Sequence, residues 1–230
     1  MRRITFATLC GLFLVSCVTP QIDLADPGEI SGNLLVFWVG EDNFVYYPFY
    51  KEPLVYKLPA YLRDKLNTNA IRPGAIYTDG GSIPKAVQGW AGLSPWGYGP
   101  AYIVHDWLFI AHHCIVTERE DRLDGRDKQE LETVRNVDFQ ISADILAGVI
   151  QALANENKVP KRNLAPKAIY GAVGSSVAKR LWDSSDPNRC RPVEQEELAR
   201  IEAMLRRGIR VAEAPRPEAR PPVLVFQQAF

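Results

Sequence analysis

Ala101-Tyr-Ile-Val-His105-Asp106-Trp-Leu-Phe109 sets a histidine and an aspartate side by side in an otherwise apolar run of helical character. An imidazole in apolar surroundings is costly unless something satisfies it, and an adjacent carboxylate adds to that cost. On a helix His105 shares its face with Ala101, Tyr102, Leu108, Phe109 and His112. Asp106 lies about 100° round the axis, so the two side chains address different surroundings. Upstream stands a polar, glycine-rich turn, Thr78-Asp79-Gly80-Gly81-Ser82-Ile83-Pro84, inside a Gly- and Pro-rich stretch over residues 70–100. A long ordered loop inside a compact domain is usually functional.

Outward from this pair the chain divides in two. On the N-terminal side, Leu34-Leu-Val-Phe-Trp-Val39 is an aromatic and β-branched run that reads as a strand, closed by the turn signal Gly40-Glu-Asp-Asn43. Residues 44–47 and 54–56 read as further short strands, which Pro48 and Pro53 confine to edges or ends. Residues 59–67 suit a short helix. On the C-terminal side the period becomes helical over residues 101–114, 130–155, 166–182 and 193–207. Between the first two, residues 117–128 form a dense charge run, expected as a solvated loop or exposed helical turn. The expected class is α+β: a small antiparallel sheet followed by a bundle of three to four helices.

Twenty-seven basic and twenty-seven acidic side chains leave no net charge, which argues against a nucleic-acid binder. With 230 residues, the chain is long enough for one sizeable core. Met1-Arg2-Arg3 is a positive n-region, and residues 4–15 are an apolar stretch too short to span a bilayer. Leu14-Val15-Ser16-Cys17 resembles the bacterial lipobox, which implies cleavage before Cys17 and acylation of its thiol. Val18, where aspartate is absent, resembles the outer-membrane sorting pattern. The expected location is therefore the periplasmic face of the outer membrane, with the chain held by a lipid anchor. The expected organisation is a leader at 1–17, a tether at 18–32, one globular domain at 33–185, a C-terminal helix at 186–211 and a Pro-rich tail at 212–230. Removal of the leader leaves Cys114 and Cys190, which in an exported protein form one bridge or remain two thiols.

The stripe Val134, Asp138, Ile141, Ile145, Val149, Ala152 carries one ionisable member, Asp138, whereas Asp144 falls on a face with Gln140 and Gln151. Asp138 is thus the carboxylate expected to be buried. In an antiparallel helix pair it would orient His105, freeing the other imidazole nitrogen to take a proton from water. The alternatives are that Asp138 pairs with an arginine such as Arg135 and that His105 is a hydrogen-bonded core residue. Asp106 suits calcium, whose remaining oxygen ligands a Gly80-Gly81 loop can present. Equally, Asp79-Gly80 suits a β-turn, with Ser82 and Pro84 opening a short helix. A transition-metal site on His105 and His112 is a lesser option.

The paired motifs Thr78-Asp-Gly-Gly-Ser-Ile-Pro84 and His105-Asp106-Trp-Leu-Phe109 resemble those of a bacterial and phage family called domain of unknown function 1353, over residues 34–155. More weakly, His105-Asp106-x-x-Phe109 and Val137-Asp138-x-x-Ile141-x-x-Asp144-Ile145 are similar to the two helices of bacterial secreted phospholipases A2. That resemblance implies that His105 activates water, Asp138 orients it, and Asp106 holds a calcium ion that stabilises the oxyanion of an ester. The chain departs from it by having Phe109 in the tyrosine position and by lacking the Cys-Gly-x-Gly calcium loop. The expected function is a membrane-anchored hydrolase of lipids or envelope esters, in which Trp90, Trp96 and Tyr98 either line an apolar mouth or pack in the core or loop. The alternative is a non-catalytic envelope or phage-related lipoprotein acting as a binding or structural module.

Overall fold

Leu34 and Val36 bury their side chains in one core, while Leu35 and Phe37 bury theirs in another. This follows from the twofold period of an extended chain, and burial on both faces explains why the run is apolar without interruption. The computed structural model describes residues 19, 21–40, 43–80, 96–159, 165–207 and 222–230. Its N-terminal half holds the strands Glu29–Ser31 (β1), Asn33–Gly40 (β2), Asn43–Tyr46 (β3) and Val55–Lys57 (β4). The helix Ala60–Leu66 (α1) and the short strands Ala70–Ile71 (β5) and Ile76–Thr78 (β6) follow. The helices Gly99–Val116 (α2), Gly125–Val134 (α3), Phe139–Asn155 (α4), Ala165–Val173 (α5), Ser176–Trp182 (α6) and Gln195–Arg206 (α7) come next, and Val223–Ala229 (β7) closes the chain.

The strands form two antiparallel sheets, ordered β1-β4-β5 and β6-β3-β2-β7. The α+β class expected from the pattern is therefore the fold. The larger core lies between the first face of β2 and β3 and the helices α2 and α4, and contains Trp107, Ile103, Leu146 and Leu153. A smaller core on the opposite sheet face joins Phe37, Val45 and Tyr47 to Ile201 of α7. Among the described residues no single helix is long and apolar enough to cross a membrane.

Three expectations need correction. The last residues of the tail form a strand: β7 pairs with β2 from Asn33 opposite Ala229 to Trp38 opposite Val223. Its alternating run Val223-Leu-Val-Phe supplies a strand that the preceding prolines obscured. The tether is docked from Thr19 onward: Gln21 N–H donates to Asp144 Oδ1 at 2.7 Å and Ala60 N–H to Asp26 Oδ2 at 2.9 Å. Tyr56 Oη donates to the Pro27 carbonyl at 2.7 Å in the same region. Residues 130–155 form two helices, not one, with α3 and α4 meeting at a bend of 104°.

Candidate functional site

The bend that separates α3 from α4 decides the fate of Asp138. Its backbone is extended (φ −95°, ψ 176°) and its Oδ1 accepts from Ile141 N–H at 2.7 Å, so it caps α4. Aspartate is among the best residues for this task because its short side chain satisfies an N–H that the first turn leaves without a partner. Asp138 is exposed and does not orient His105. Nor does it pair with Arg135, whose guanidinium engages Glu120 and Glu132. The buried carboxylate of α4 is Asp144, 6 % exposed, which accepts from Gln21 N–H and from Gln140 Nε2. Burial pushes its carboxyl up. The sequence stripe inverted the two because the docked residues 19–27 cover a face of α4 that otherwise reads as solvated.

The cap makes a direct prediction. Asp138→Ala lowers the unfolding free energy by about 1 kcal/mol, and Asp138→Asn retains most of it. Urea unfolding of the two variants checks this, and equal losses for both would refute a capping role.

His105 points among apolar groups. Its ring lies 4.8 Å from that of Phe109, one turn along, and its Nε2 is buried with no hydrogen-bond partner among the described residues. Burial lowers its basicity to about 4, so the imidazole is neutral at ordinary pH. His112 stacks on Trp182 of α6 at 4.0 Å and is not directed at His105. His113 is 2 % exposed and held down at about 4 by burial. Burial also lowers the His112 imidazole, and all three rings pack against aromatic neighbours along one helix.

Asp106 joins the two sequence motifs. Thr78 Oγ1, at the end of β6, donates to Asp106 Oδ2 at 3.1 Å and itself accepts from Gly80 N–H at 3.0 Å. Gly80 adopts φ +81°, a left-handed backbone that glycine accepts without cost and that turns its N–H back onto Thr78. Burial raises the Asp106 carboxyl to about 8, and the Asp79 charge beside it adds to the shift. The expectation that Asp106 faces the Asp79-Gly80 turn is met. Among the described residues no group of three or more histidine, cysteine or acidic side chains converges to hold a metal. Cys17, Gly81, Ser82, Pro84 and Trp90 lie outside the described residues. Trp96 packs edge-on against Phe44, and Tyr98, at the start of α2, is 1 % exposed and therefore a core residue.

Cys114 and Cys190 form a disulfide, tying the last turns of α2 to the segment after the 3₁₀ turn Pro187–Arg189. Both are fully buried. Asp127, placed by its sequence in a solvated charge run, is 5 % exposed and accepts from Ala75 N–H at 3.2 Å. Its spacing from Leu131 and Val134, four and seven residues on, is the signal that places it on the buried face of α3. Comparison of the chain with protein families, characterised proteins and solved structures finds no match.

Proposed function

We propose that this chain is an exported cell-envelope protein, lipid-anchored at Cys17, whose two motifs build a binding scaffold and not a hydrolytic centre. The observation that carries the reading is the Thr78–Asp106 hydrogen bond. It joins the described start of one motif to the other: Thr78, Gly80 and Asp106 hold the end of β6 against α2. Water activation by His105 needs an orienting acceptor and an accessible nitrogen. Asp138 is committed to its helix cap and His105 Nε2 is buried. Export is supported by the leader with its lipobox and by the Cys114–Cys190 bridge, which suits an oxidising compartment.

The full-length chain expressed in bacteria fed labelled palmitate tests the reading. Label is expected in the wild type and lost in Cys17→Ala. The purified protein is expected to leave phospholipid vesicles unhydrolysed, both with calcium and with chelator. Hydrolysis that disappears in His105→Ala would overturn the non-catalytic assignment, and unlabelled wild type would overturn the anchor.

A further inference from the structure

A cleft of about 470 Å³ opens between the segment after β3 and helix α7, on the side of the sheet away from the Thr78–Asp106 contact. Its volume lies in the range of sites for small ligands. Tyr47, Phe49 and Tyr50 supply aromatic surface, and the Phe49 and Tyr50 rings lie 5.4 Å apart, tilted by 56°. Tyr50 is 61 % exposed, so most of its ring is open to a ligand in the cleft while Phe49 and the Lys51 ammonium flank it. The charged lining is balanced: Lys51, Arg126 and Arg206 face Asp124, Asp127 and Glu202. Such a lining favours no strongly ionic ligand, yet offers hydrogen-bond donors and acceptors on every side.

Asp127 marks the inner end. It is buried, lines the cleft, and has a single backbone N–H as hydrogen-bond donor and no ion pair among the described residues. A carboxyl so placed lacks partners that a ligand hydroxyl can supply as either donor or acceptor. Burial raises it to about 7, which suits either role. Glu202 is fixed opposite by the Tyr47 hydroxyl, which donates to it at 3.2 Å. We infer that the cleft binds a neutral, polyhydroxylated ligand, an oligosaccharide, with sugar faces on Tyr50 and hydroxyls on Asp127 and Glu202. The inference rests on the reading of the chain as a binding protein of the envelope.

Saturation-transfer NMR on the full-length protein in detergent, with maltotetraose and tetra-N-acetylchitotetraose as probes, tests it. Transfer to at least one probe is expected. Tyr50→Ala, at an exposed position, should weaken binding at least tenfold, and Asp127→Asn, which keeps the shape, severalfold. Val177→Ser, exposed on α6, should change nothing. No transfer to either probe, transfer unaffected by Tyr50→Ala, or displacement of the probe by tetralysine at equal concentration would overturn the assignment. Cleavage of a bound probe, seen as new anomeric signals, would uphold the site and overturn the non-catalytic reading instead. Absence of binding leaves the vesicle and palmitate results as an independent test of that reading.

Discussion

Replacing Cys114 and Cys190 together by alanine is expected to lower the unfolding free energy by about 4 kcal/mol. The bridge spans a sequence separation of 76 residues, and closing a loop of that length removes a large share of the unfolded chain's freedom. Beside the bridge, Arg122 Nη1, in the turn that follows α2, donates to the Cys190 carbonyl at 3.3 Å. The His112–Trp182 stack and the Phe109–Trp182 edge contact lie beside the bridge. Loss of the bridge should therefore loosen α6 first, visible as faster amide exchange around Trp182 before global unfolding. Urea unfolding of the double variant, beside wild type with and without reductant, measures the effect. Coincident curves for oxidised and reduced wild type would refute it. The same reasoning predicts a poor yield when the chain is made in a reducing cytoplasm.

Asp106→Asn is expected to stabilise the protein at pH 8 by a few kcal/mol relative to pH 5, measured against wild type at each pH. The sign follows from the direction of the shift. The folded carboxyl is raised from about 3.8 to about 8 by burial and by the neighbouring Asp79. Between those values the native state holds a proton that the unfolded chain has released, so wild-type stability falls as pH rises and levels off above about 8. Asp127, raised to about 7, acts in the same direction. His105 and His113, lowered to about 4, act oppositely between pH 4 and 6.5, because there only the unfolded chain takes up their protons. The wild type should thus vary little from pH 4 to 6.5 and lose stability from 6.5 to 8. Asparagine keeps an acceptor for Thr78 and removes the titration. Parallel pH curves for the two proteins would refute the assignment. Calcium added at pH 8 reads the remaining question: stabilisation of wild type but not of Asp106→Asn would place a cation on the Asp79–Asp106 pair.

Much of the architecture was legible along the chain. The run 34–39 and the apolar helix at 101–114 carry strong local signals, and each appears within a few residues as β2 and α2. The sequence set Asp106 beside the glycine-rich turn only as a calcium ligand, and the Thr78 hydroxyl as its partner came from the tertiary structure. Asp138 was misread for a specific reason. An aspartate on a 3-4-7 stripe looks buried until the helix is known to begin after it. Once the helix starts at Phe139, the same residue is its cap.

Residue type and spacing alone determined that this is a chain of balanced charge and α+β class, with a strand at residues 34–39 and a largely apolar helix carrying His105 and Asp106. Those properties are local: they depend on period, on side-chain shape and on the cost of burying charge. Tertiary structure alone decided which carboxylates are buried, that Cys114 meets Cys190, and that the last strand returns to pair with β2. Each of these depends on segments distant along the chain finding one another, and no spacing along the chain encodes which of several compatible partners a buried polar group or an unpaired strand edge will take.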